Sequence, residues 1–164
     1  MRPHVLRFAA YNAWANERLY EAVATLPAEE IARDRKGFFR SILGTLNHIM
    51  VADRAWMGRI TGSDYGIRAL DQILFDDFAE LWEARRTFDR VIANVAASAP
   101  LEEDLHYWTI AGVECVTPMG MVLTHVFNHQ THHRGQVHHM LGEAGVEPPA
   151  LDFIYYARET GSLT

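Results

Sequence analysis

Six of the chain's nine histidines lie between His125 and His139, in the stretch HVFNHQTHHRGQVHHM. Imidazole is a neutral nitrogen ligand at physiological pH and the commonest side-chain ligand for transition metals, so such a cluster raises metal binding first. The stretch is internal and interleaved with apolar residues, whereas an expression tag is a terminal, uninterrupted run. That leaves a metal site or a solvated basic face, and helix geometry separates them. At about 100° per residue, with His129 as origin, His133 falls near +40°, His125 near −40° and His132 near −60°. Val122, Val126, Gln136 and Met140 share that side, so it should point inward. His138 falls opposite and His139 on the flank, and both read as solvated.

A single inward histidine is ordinarily satisfied by hydrogen bonds. Two stacked four residues apart are harder to satisfy, because each neutral ring needs both a donor and an acceptor in a dry interior. A metal ion removes that difficulty, and the i, i+4 pair matches helical zinc motifs. Spacing alone leaves open whether the pair is His125 with His129 or His129 with His133. An earlier segment, GTLNHIMVADRAW, offers a third nitrogen in His48. Gly44, Thr45, Ala52 and Ala55 flank it on its own face, while Ile42, Leu46, Ile49, Trp56 and Ile60 take the other side. Small residues there either let another helix approach closely or leave a cavity over a bound ion. Three imidazoles from two helices would leave one coordination position free for water or substrate.

The elements that must carry these residues are four amphipathic helices. The first spans about Pro3 to Leu26, with Leu6, Ala10, Ala13, Trp14, Leu19, Ala22, Val23 and Leu26 on its apolar stripe and Arg7, Asn16, Glu17 and Glu21 mostly opposite. The second starts at Ser41, a good N-cap, and ends at TGSDYG. The third runs from about Phe75 to Ala97. Between Leu101 and Thr117 the period changes, and the β-branched and aromatic residues around Ala111-Gly112 predict a short hairpin or an extended loop. Thr117 as N-cap and Pro118 at the first helical position then open the fourth helix, which reaches about Gly142. Pro148-Pro149 breaks the tail, with a short helix expected over Asp152–Glu159. The expectation is an all-α chain: one domain, 1–164, built as a four-helix bundle with a long connection between the third and fourth long helices.

A single cysteine, Cys115, cannot form an intramolecular disulfide, and the N-terminal segment lacks a signal-peptide pattern. The expected location is the cytoplasm. No apolar run is long enough to span a membrane. Net charge is −6 with the basic residues scattered, which argues against nucleic acid as the main partner.

The segments YNAWANERL, SILGTLNHIMVADRAW, LTHVFNHQTHHRGQVHHML and GVEPPALDFIYY, in that order over nearly the whole chain, resemble the DinB/YfiT-like (damage-inducible) superfamily of metal-dependent enzymes. That resemblance implies a four-helix bundle, often a homodimer, with one divalent transition metal held by three histidines. Zinc or nickel is the usual ion, with iron and manganese as alternatives. By the position of RGQ, the family pattern places the ligands at His48, His129 and His133, and leaves His125 and His132 around the pocket. It also implies a metal-dependent thiol transferase or hydrolase acting on a small electrophilic molecule, with a low-molecular-weight thiol as partner. Asp53, Glu114 and Asp152 are the available general bases, Arg134 is expected to pair with a carboxylate such as Asp53, and Cys115 could approach the pocket from the hairpin. The alternative is a stress-response module that binds metal or ligand without turnover. A structural zinc site fits less well, because such sites usually close with four ligands, commonly including cysteine.

Overall fold

The computed structural model describes residues 1–162, so the last two residues of the expected 1–164 domain lie outside it. The chain is mostly helical: α1 (Arg2–Val23), α2 (Ala28–Ala32), α3 (Ile42–Thr61), α4 (Phe78–Ser98), β1 (Asp104–Trp108), β2 (Glu114–Pro118), α5 (Met119–Glu143) and α6 (Phe153–Glu159). The hairpin corrects the expectation of an all-α chain, although its place around Ala111-Gly112 was legible from composition. Gly112 makes the turn at φ 76°, a backbone region open to glycine at little cost.

Local chemistry sets the ends of the long helices. Ser41 caps α3 by accepting a hydrogen bond from the Gly44 N–H at 3.0 Å, and Gly62 ends it in the left-handed region. Asp77 caps α4 through the Glu80 N–H. Thr117 does not cap α5. It lies in β2 opposite Leu105, and α5 begins after Pro118 with no side-chain cap. Hairpin pairing has claimed the residue that the local sequence offered to the helix.

Helix α1 packs on α4 and α5, and α3 packs on the same two. Between them lie Leu19, Ile42, Leu46, Met50, Leu81, Ile92, Leu123 and Leu141, all essentially without exposure. The buried face of α1 differs from the expected stripe: Val5, Ala9, Tyr11, Asn12, Ala15, Asn16, Leu19, Tyr20 and Val23 point inward, whereas Leu6 and Ala10 are exposed. A hydrophobicity rule fails there because Asn12 and Asn16 are core residues.

Those asparagines belong to a polar network that ties the four long helices together. On α4, Arg85 donates to the Asp53 carboxylate of α3 at 2.5 Å and lies 2.9 Å from Asp89. Gln130 of α5 donates to Asp53 at 2.7 Å, and Asn16 of α1 donates to Asp89 and Gln130, each at 3.1 Å. Arg134, also on α5, donates to Asn12, Asn16 and Gln130 of this same cluster. The cluster holds two guanidinium groups and two carboxylates, so its formal charges balance. The expected Arg134–Asp53 pair is not made. Arg85 takes Asp53, and Arg134 is satisfied by neutral oxygens.

A second device fixes the loop between Ser41 and α2. A Cβ on Gly44 would stand 2.1 Å from the Phe39 carbonyl oxygen, far inside any real contact. Gly44→Ala is expected to push the Phe39 segment away and cost about 1–3 kcal/mol, the usual range for overpacking. Urea denaturation checks this, and an unchanged midpoint at unchanged slope would refute it.

Candidate metal centre

His48 projects from the middle of α3, and His129 and His133 from consecutive turns of α5, which packs against it. Their Nε2 atoms converge: His129 to His48 at 3.2 Å and His129 to His133 at 3.1 Å. One ligand nitrogen from each ring lies within 4.8 Å of the other two. Two nitrogens bound tetrahedrally at the ordinary zinc distance of 2.0–2.1 Å stand about 3.3–3.4 Å apart, so the spacing suits a shared ion.

Hydrogen bonds on the far side of two rings set their tautomers. The Leu70 carbonyl can only accept, so His48 donates to it from Nδ1 at 2.9 Å and presents a lone pair at Nε2. His133 Nδ1 donates to Gln136 Oε1 at 2.8 Å, while the Gln136 amide nitrogen lies 3.2 Å from His132 Nε2. Two lone pairs therefore aim at His129 Nε2, which has at most one proton to give. A cation among the three resolves this conflict, and outer carbonyl partners of this kind are what orient metal-binding histidines.

The orienting groups are themselves held. Asn47, next to His48, accepts from the Leu74 and Phe75 N–H groups at 2.8 and 3.0 Å and donates to the Phe75 carbonyl at 2.9 Å. This pins the connection after α3, which carries Leu70. Phe39 stacks on His48 with ring centroids 3.7 Å apart and meets His133 edge-on at 5.5 Å. Gln130 and Arg134, the neighbours of His129 and His133, anchor α5 in the polar network and so fix its rotation about its axis.

Electrostatics keeps the imidazoles neutral. Burial, then the charges that His133, His48, His125 and His132 would carry, pushes His129 down to about 3. Burial also lowers His48 and His133, opposed by the Leu70 and Gln136 hydrogen bonds. Unfolded, these rings titrate near their ordinary 6.5, so between that value and the folded one the unfolded chain binds more protons. Without metal, stability should be full above pH 6.5 and fall as pH drops through 6.5, toward about 3 for His129. Denaturation in chelator at roughly pH 7.5 and 5.5 tests this, with a shallower pH slope expected for His129→Gln. Equal slopes would sink it.

Beside the triad opens a cavity of about 720 Å³ lined by His48, His129, His125, Ala52, Ala55, Trp56, Arg59, Leu70, Tyr107 and neighbouring hairpin residues. Ala52 and Ala55 therefore do leave space in front of His48, whereas Gly44 serves close packing against Phe39. Two buried rings, His48 and His133, and the half-buried His129 thus converge beside an open cavity, with two tautomers set by carbonyl acceptors. The DinB family model matches residues 1–162.

The chain belongs to the DinB family.

Two relatives from Bacillus subtilis (strain 168) extend the similarity along the chain. Protein DinB is 25% identical over 166 residues, covering 95% of each chain. YizA is 24% identical over 159 residues, covering 92% of this chain and 94% of its own. In this DinB-family chain, none of the three carboxylates read from the sequence as bases lines the cavity. Asp53 is buried in the polar network, where burial pushes its carboxyl up to about 6 against the pull of Arg85. Glu114 is exposed at the start of β2, and Asp152 precedes α6 at the surface. Cys115 sits half-buried opposite Tyr107 in the hairpin, outside the cavity lining.

His125 lines the cavity, with its ring 5.7 Å from that of His129, and His132 reaches only Gln136 and the edge of His133. His138, expected to be solvated, is half-buried and lies 3.1 Å from the Pro149 carbonyl, while His139 is exposed beside Glu143. The sequence reading missed Leu70, Gln136 and Phe39. Phe39 and Leu70 carry no pattern of their own, but Gln136 stood on the histidine face three residues past His133.

Proposed function

We propose that His48, His129 and His133 hold one divalent transition metal ion, zinc or nickel before iron or manganese. We read the chain as a metal-dependent thiol transferase or hydrolase for a small electrophilic molecule, with a low-molecular-weight thiol as its partner. The observation that carries this reading is the convergence of three ring nitrogens, two of them in fixed tautomers, beside a cavity that His48 and His129 line. When bound, such an ion supplies a Lewis acid that favours the deprotonated form of a thiol or water. The chain's own residues do the rest. The Leu70 carbonyl and Gln136 hold the rings in register, and Trp56, Tyr107 and Leu70 keep the cavity wall apolar. His125, exposed at the edge of the cavity with its pKa lowered by partial desolvation and by the charge of Arg59, offers the proton acceptor that Asp53, Glu114 and Asp152 do not.

A second reading, a module that binds metal or ligand without turnover, is favoured by the absence of any carboxylate from the lining of that cavity. No helix among the described residues is long and apolar enough to cross a membrane. Cytoplasmic location, a homodimer, a single domain and a four-helix bundle for the long helices complete the proposal.

Metal analysis of protein purified without a nickel column should find close to one transition-metal ion per chain. The loaded protein should then turn over some member of a panel of small thiols and electrophiles, and His125→Ala should lower that rate by about 10²-fold or more. An ion with no turnover of any member would favour the binding module, and failure to take up any ion would remove the site.

A further inference from the structure

On a chain of net charge −6, the cavity beside the triad is lined by no aspartate or glutamate and by two arginines, Arg59 and Arg68. Their states differ. Arg68 is exposed and committed to Asp64, donating to its two carboxylate oxygens at 3.0 and 2.7 Å. Arg59 is half-buried, and no carboxylate lies within 4.0 Å of it among the described residues. Its guanidinium carbon lies instead over the Trp56 ring, 4.6 Å from the centroid, and 5.2 Å from the centroid of Tyr107. Cation–π contacts of this kind hold the charge beside the rings and supply no anion to its N–H donors. Partial burial works against this charge and lowers the pKa of Arg59, with Tyr107 and Cys115 opposing the shift.

Much of the remaining wall is apolar, with Trp56, Leu70, Ile110 and the two alanines of α3 beside His48, His129, His125, Tyr107 and Thr109. Its volume of about 720 Å³ suits a small molecule. A ligand complementary to it carries one negative group and an apolar body.

We propose that this cavity takes a small organic acid, its anionic group paired with Arg59 and its apolar body laid along Trp56 and Leu70, bringing its reacting end before His48 and His129. This rests on the reading of the triad as the reaction centre and names the substrate class for it. Arg59 is then the residue that selects charge, and the histidine end is left to the chemistry. A planar guanidinium suits a carboxylate, which it can meet with two parallel hydrogen bonds.

The test uses phenylacetate and its neutral isostere phenylacetamide as probes, titrated calorimetrically into the full chain in both metal-stripped and zinc-loaded forms. Phenylacetate should bind at least about tenfold more tightly than the amide, the effect of one charge-assisted pair. Arg59→Gln should erase the preference, Arg59→Lys should keep part of it, and Arg68→Gln should leave it in place. Circular dichroism checks that each variant is folded. Equal affinities for acid and amide, a preference that survives Arg59→Gln, or no binding of either probe up to ~10 mM would overturn the proposal. The metal reading is scored separately. A preference for the acid in a chain that takes up no zinc would sink the metal centre and keep the anion site, whereas normal zinc uptake with no preference would do the reverse.

Discussion

Replacing His129 with alanine is expected to remove metal binding from this chain, with zinc affinity falling by more than about 100-fold in equilibrium dialysis. His129 Nε2 is the hub of the triad, within 3.2 Å of both other Nε2 atoms, and its loss leaves two nitrogens from different helices. Graded comparisons make the result specific. Gln136→Ala leaves all three ligands but frees the His133 ring from its acceptor, and should cost about 10- to 100-fold. His138→Ala, whose ring lies by the Pro149 carbonyl, should change nothing measurable. Equal losses at His129 and His138 would show that metal is held by the histidine-rich surface of α5 and not by the triad.

Arg85→Leu is expected to be the most destabilising single change in the core. It strands two carboxylates, Asp53 and Asp89, in the interior, and Tyr20 beside them is already a phenol whose ionisation burial opposes. Arg85 itself is held firmly charged: burial works against its charge, but Asp89 and Asp53 more than offset that. Breaking a buried pair by removing one partner typically costs 3–5 kcal/mol, and at about 2–4 °C per kcal/mol for a chain of this size Tm should fall by roughly 6–20 °C. Because Gln130 shares Asp53 with Arg85 and adjoins His129, zinc affinity should also drop before global unfolding is reached. A loss under about 1 kcal/mol would mean that Asp53 finds other partners and that the network does not hold the helices in place.

The network also explains why the site was easier to read than its frame. Histidine spacing is a local property: residues four apart on a helix share a face whatever surrounds it, so His125, His129 and His133 could be set on one face once α5 was read as a helix, while the choice of His129 with His133 comes from the family resemblance at RGQ. His48 stood out for a similar reason, as a polar ring on a face of small residues, and Ala52 and Ala55 indeed border the cavity. Asn12, Asn16, Asp53 and Arg85 carried no such mark. Each is polar, and a rule that sends polar residues outward puts Asn16 on the wrong side of α1 and offers Asp53 as a free base. Their burial makes sense only when each donor meets its acceptor on another helix.

By itself the sequence determined four long helices, a break in period near Ala111-Gly112, and a histidine-rich face on the last long helix, because these follow from turn angles, caps and glycine within a few residues. Only the tertiary structure decided that His48 reaches within 3.2 Å of His129, that Leu70 and Gln136 set the tautomers, that Thr117 joins a strand, and that Arg59 faces a cavity without an internal anion. Each of those depends on pairing groups from distant parts of the chain, and a hydrogen bond or ion contact has no signature in either partner until the fold sets them face to face.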